Sequence, residues 1–173
     1  MIKRTTFGFG VIALVLAIAG CDFPQFRDNI IEYQGSEFQI EHLYVVDWGV
    51  NGSGFDVGFY VTEDSLTMDS NADFVGSGTY VFAEAHLSSG TIQEGDYSWN
   101  SEVGRILHLV HDAGIHVDHP AGTGLKSATF ANLVITKTDI TNEWIVEFTL
   151  QTPDGDIEAY YRGDITSVIS ATK

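Results

Sequence analysis

The chain has 173 residues, with 24 Asp and Glu against 8 Lys and Arg, six His and a single cysteine, Cys21. The formal net charge is −16 with His neutral, which argues against a nucleic-acid partner, because phosphate binding needs clustered Lys and Arg. One cysteine leaves no intramolecular disulfide, so stability must come from burial and backbone hydrogen bonding, which this length permits in one domain.

The first segment carries the most specific signal. Lys3 and Arg4 precede an almost wholly apolar run from Phe7 to Ala17, followed by Ile18-Ala19-Gly20-Cys21. A basic start, a short apolar stretch and small residues at a cleavage point form a secretory signal. The run is too short for a retained span, which needs about 20 apolar residues. Ile18-Ala19-Gly20-Cys21 resembles the lipobox of bacterial lipoproteins. That resemblance implies removal of residues 1–20, a diacylglyceryl group on the Cys21 sulfur, and a cell-envelope location. Three acyl chains would hold the protein stably, at about 0.8 kcal/mol per buried methylene. Asp22 resembles the enteric signal for retention at the inner membrane, but that rule does not extend to every bacterial group, so inner and outer membrane both stay open.

Residues 21–36 read as a lipidated tether, with Ile30-Ile31 either a short edge strand or part of the linker. From Phe38 the apolar period is two. Phe38, Ile40, His42, Tyr44, Val46 and Trp48 alternate with a more polar set, which predicts a strand buried on that face. Asn51-Gly52 and Gly54 mark a turn into a second strand through Phe55, Val57, Phe59 and Val61. Glu63 to Gly76 reads as a polar loop, and Thr79 to Leu87 and Gly95 to Trp99 as strands. Arg105 to His111 and Ile115 to His119 predict a short hairpin about Ala113-Gly114. Thr129 to Thr138 and Glu143 to Thr152 are strands, the latter with Trp144, Val146, Phe148 and Leu150 on one face. Pro153-Asp154-Gly155 turns the chain into a strand running to Ile165. No segment has a sustained helical stripe. The expected fold is all-β: residues 37–173 form one antiparallel β-sandwich, with an up-and-down barrel as the alternative. With Gly78-Thr79-Tyr80, the Thr-Pro-Asp-Gly turn and Tyr160-Tyr161-Arg162-Gly163-Asp164-Ile165 resemble small all-β lipoproteins of bacterial envelopes over residues 78–166, which implies a fold rather than an activity.

Two constellations carry candidate chemistry. In the expected hairpin His111 lies opposite His116 and His108 opposite His119, with Asp118 on the His116 face. His111, His116 and Asp118 then make a two-histidine, one-carboxylate ligand set for zinc or a similar metal. The plainer alternative is a solvent-exposed hairpin with incidental histidines. Asp69, Asn71 and Asp73 have the spacing of the first half of a calcium loop, but Phe74 stands where an EF-hand needs glycine and Tyr80 where it needs glutamate. A looser calcium site or a solvated acidic turn are the two readings. Arg162-Gly163-Asp164 spells an adhesion tripeptide inside a strand and reads as chance. No nucleophile elbow, Walker loop or dinucleotide fingerprint is present.

The expected function is a non-catalytic, lipid-anchored envelope protein with no cofactor. Its partners would be the membrane, through Cys21, and an envelope protein or glycan. A lipocalin-like carrier of a small apolar ligand and a metal-binding protein or metal-dependent enzyme are the alternatives.

Overall fold

The computed structural model describes residues 27–99, 107–122 and 124–171. The signal segment, Cys21 and Arg105 lie outside the described residues. The protein is all-β, with no helix among the described residues. The first strands are β1 (Ile30–Tyr33), β2 (Ser36–Gln39), β3 (His42–Asn51) and β4 (Gly54–Thr62). A small hairpin, β5 (Leu66–Met68) and β6 (Phe74–Gly76), precedes β7 (Gly78–Leu87), β8 (Gly95–Trp99) and β9 (Leu109–His119). β10 (Leu125–Ser127), β11 (Phe130–Lys137), β12 (Glu143–Thr152), β13 (Gly155–Asp164) and β14 (Ser167–Ser170) complete the chain.

Twelve strands form one curled sheet, in the order β14-β3-β4-β7-β9-β8-β11-β12-β13-β1-β2, with β10 also on β9. β5 and β6 form a separate two-stranded sheet. The main sheet is mixed rather than wholly antiparallel, because β14 runs parallel to β3 and β8 parallel to β9. Two short links cross from one end of the strand order to the other. Ile40-Glu41 joins β2 to β3, and Ile165-Thr166 joins β13 to β14. The second is pinned at Leu43, whose N–H donates to Thr166 Oγ1 at 3.1 Å and whose carbonyl accepts from Thr166 N at 2.8 Å. A chain that repeatedly crosses between the ends of its own sheet must curl it.

Curling encloses the inner face. Phe59, Tyr97, Leu133, Phe148, Leu150 and Ile157 belong to one contiguous buried cluster, and each such side chain contributes about 1.5–3 kcal/mol by leaving water. Residues 30–36, expected in the tether, are part of this domain. β1 lies between β13 and β2 with Ile31 fully buried. Gln34 (φ +51°) and Gly35 (φ +77°) make the tight turn between β1 and β2, and two left-handed central residues match the twist of the flanking strands.

Three other expectations change. The single strand predicted from Phe38 to Trp48 breaks at Ile40-Glu41, and the side-chain phase reverses there. Phe38, Ile40, Leu43 and Val45 face the inner core, while Tyr44, Val46 and Trp48 face outward into a second cluster. The polar loop predicted over Glu63–Gly76 contains β5 and β6, whose Leu66, Met68 and Phe74 cover that second cluster. The hairpin predicted about Ala113-Gly114 is the continuous strand β9. Gly114 is there because β10 passes close by: a Cβ at this position would sit 2.6 Å from the Lys126 carbonyl oxygen. A glycine inside a strand can mark backbone approach as well as a turn.

Candidate functional site

The outer face of β4, β7 and β9 is where titratable side chains collect. Inward positions are filled by Val57, Phe59 and Val61 on β4 and by Val81, Ala83, Ala85 and Leu87 on β7. By alternation, Asp56, Tyr60 and Thr62, and Tyr80, Phe82, Glu84 and His86, point the other way. Water would normally cover such a face, yet Asp56 (3 %), Glu84 (4 %) and His86 (1 %) are nearly inaccessible.

Asp56 stands directly opposite His86 across β4 and β7. Its Oδ1 accepts from His86 Nδ1 at 3.0 Å, and its Oδ2 accepts from Asn51 Nδ2 at 2.8 Å. His111 Nε2 lies 3.3 Å from the same Oδ1. It reaches there because β9 is bulged: Val110 pairs with Ala85 and Asp112 with Glu84, leaving His111 as the extra residue. One carboxylate thus serves two imidazoles. Two strand positions along, Tyr60 Oη donates to Glu84 Oε1 at 2.9 Å. Burial, reinforced by the Glu84 charge, pushes the Tyr60 phenol well above its usual range. Asp56 with His86 and Asn51, and Glu84 with Tyr60, satisfy one another, as buried polar groups must.

A second ensemble lies toward the far end of β9. His116 is the cross-strand neighbour of Tyr80 and stacks on it at 5.7 Å. His119 meets His116 edge to face, with ring centres 4.8 Å apart. Phe74 of β6 closes the group, 4.1 Å from Tyr80 and 5.5 Å from His119. Burial, then the neighbouring His116, lowers the His119 pKa below its ordinary value.

The structure separates the predicted zinc ligands. His111 joins Asp56 and His86, His116 joins Tyr80 and His119, and Asp118 is exposed. His108 pairs with no histidine and stacks on Tyr97 at 6.1 Å. Among the described residues no set of three or more His, Cys, Asp and Glu is arranged to hold a metal. In the predicted calcium loop, Asp69 Oδ1 accepts from Asn71 N at 2.8 Å and Asp73 N at 3.0 Å. Those two N–H donors, Asp73 first, hold the Asp69 carboxyl below its ordinary pKa. Asp69 therefore shapes the β5–β6 turn, as a short polar side chain does at a turn. Arg162 bonds Glu143 Oε2 at 3.1 Å within the sheet.

Sequence reasoning missed Asp56, Glu84 and His86 because alternation assigns them to a solvated face. The available signal was their company. The same outward rows carry Tyr60, Tyr80 and Phe82, too many rings for a wet surface. No family model, curated protein or solved structure matches the chain.

Proposed function

We propose that this chain is a lipid-anchored protein of the bacterial cell envelope whose β domain binds or supports another envelope component, protein or glycan, without catalysing a reaction. The observation that carries the reading is Ile18-Ala19-Gly20-Cys21 behind an apolar run and Lys3-Arg4. Two structural features support it. Arg27, six residues after Cys21, lies against the outer face of β12 and β13. It pairs with Glu158 at 3.4 Å and Glu147 at 3.7 Å and sits 5.4 Å from the Tyr160 ring centre. Six residues span roughly 20 Å at most, so an anchor at Cys21 would keep the domain close to its membrane. The titratable groups Asp56, Glu84 and His86 are sealed from solvent, Asp56 bonded to His86 and Glu84 to Tyr60, an arrangement suited to holding strands together rather than to meeting a substrate.

The test is Cys21→Ser in a bacterial host. The parent chain should partition into detergent and carry the mass of a diacylglyceryl group and an N-acyl chain, and the variant should be released unlipidated. A parent chain that carries no lipid ends the proposal.

A further inference from the structure

We propose that His116 and His119 form a two-imidazole binding site for a divalent transition-metal ion of the zinc, nickel and copper class, walled by Tyr80 and Phe74. Residues three apart in a regular strand point to opposite faces. Here they share one. Tyr80 pairs with His116 and Gly78 with His119, so Val117 and Asp118 together oppose Thr79 alone. This bulge restores the common face. It places Asp118 at φ +53°, a left-handed conformation that costs a non-glycine residue about 1 kcal/mol or more. Bulges of this kind re-aim side chains next to functional sites.

The geometry of the rings fits one ion between them. With each nitrogen about 2.0–2.1 Å from a tetrahedral ion, two imidazoles have ring centres roughly 5 Å apart. The observed separation is 4.8 Å. His116 Nδ1 lies 3.3 Å from the Val117 carbonyl oxygen, where it donates as Nδ1–H. That contact fixes the tautomer and leaves Nε2 as the bare, ligating nitrogen, the usual outer-shell arrangement of a metal-bound histidine. His119 Nδ1 is buried with no hydrogen-bond partner among the described residues. A buried polar nitrogen without a partner calls for an explanation, and a bound ion supplies one. The rings meet edge to face at 76°, so His119 must turn about its soft χ2 to aim a nitrogen at the shared ion. Two nitrogen donors among aromatic walls favour zinc, nickel or copper over calcium or magnesium, which want oxygen. Water or a partner's side chain would complete the coordination. This site replaces the His111–His116–Asp118 set and does not depend on the envelope reading above.

The experiment uses the full chain without an affinity tag, in detergent and stripped of metal by a chelator. Zn²⁺ alone is then titrated by calorimetry. One ion per chain should bind, with a Kd in the micromolar range, and the melting temperature should rise with Zn²⁺ concentration. His116→Gln and His119→Gln should each weaken binding at least tenfold, while His42→Gln leaves it unchanged. In case either variant fails to fold, nitrogen NMR of the imidazoles in the parent chain gives a second reading. Zn²⁺ should shift the His116 and His119 ring nitrogens and leave those of His86 and His111 in place. Absent saturable binding, binding indifferent to both substitutions, or shifts confined to other histidines would each overturn the proposal.

Discussion

The two halves of the sheet treat their outer faces differently. In the meander of β11, β12 and β13 with β1 and β2, burial alternates. Val146, Phe148 and Leu150 point inward, while Thr149, Gln151, Glu158, Glu32 and Glu37 are exposed. In β7, by contrast, every residue from Thr79 to Leu87 is buried. The difference is set by what lies on top. Between β4 and β7 the chain inserts the β5–β6 hairpin, which Thr62 Oγ1 ties down by donating to the Leu66 carbonyl at 2.6 Å and Ser65 Oγ by donating to the Ser77 carbonyl at 2.6 Å. Leu66, Met68 and Phe74 then convert the outer face of β3, β4 and β7 into a second core. A strand's burial is therefore a property of its neighbours as much as of its own pattern.

The sharpest way to break this comparison is to truncate outward-pointing residues in both halves. Phe82→Ala, in the covered half, should cost about 3–5 kcal/mol, the usual range for a buried aromatic. Gln151→Ala, on the open face of β12, should stay within about 0.5 kcal/mol. Urea denaturation of both variants checks this, and equal costs would mean that the hairpin does not bury the face beneath it. Next in size is Asp56→Ala. It removes the acceptor of both His86 Nδ1–H and Asn51 Nδ2–H in a dry site. The loss should be about 2–3 kcal/mol, visible in the same denaturation curves. A negligible change would show that water reaches the pair.

The same contrast explains what the sequence made legible. The meander strands are readable almost residue for residue. Glu143–Thr152 is predicted and observed, and Thr129–Thr138 is observed as Phe130–Lys137, because one face is wet and the period of two survives. In the covered half the apolar residues occupy both faces, so Tyr44, Val46 and Trp48 read as the inner row when they are the outer one. Nothing local reveals that Glu63–Gly76 folds back as a lid. The sites suffer most. Asp56 meets His86 across 30 residues, and His111 arrives from a third strand through a bulge. Bulges shift register by one residue without a sequence mark as distinct as a glycine turn. His116 was visible as a candidate, but its companion is His119 rather than His111.

A smaller effect tests whether the open face of the meander is held by its charges. Glu143 accepts from Arg162 at 3.1 Å and from Thr138 Oγ1 at 2.7 Å. These hydrogen bonds, Arg162 first, hold its carboxyl below the ordinary value of 4.5. A carboxylate whose pKa is lowered by folding binds its proton more readily in the unfolded chain. Its contribution is fully present above the ordinary value and is lost as pH falls through the lower native one. Glu143→Gln should therefore flatten the acid side of the stability profile as pH falls below the ordinary value of 4.5, as read by melting temperature against pH. An unchanged profile would place the acid sensitivity elsewhere.

The smallest expected effect concerns the charges on that open face themselves. Glu158 stands opposite Glu32, and Glu32 opposite Glu37, across β13, β1 and β2. The three line a cleft with Asp156. Like charges directly opposite on neighbouring strands destabilise the pair, and the net charge of the chain already makes its compact state self-repelling. Arg27 offsets part of this at Glu158, which leaves Glu37 at the edge as the simplest member to neutralise. Glu37→Gln should stabilise the domain by a few tenths of a kcal/mol, roughly the low end of a cross-strand pair. Because both groups are exposed, the gain should shrink as salt rises past 0.1 M or so, where the screening length is about 10 Å. Melting temperatures at low and high salt measure it. A destabilised variant would mean that the acidic row is held together by a cation, and the open face would then be a binding surface in its own right.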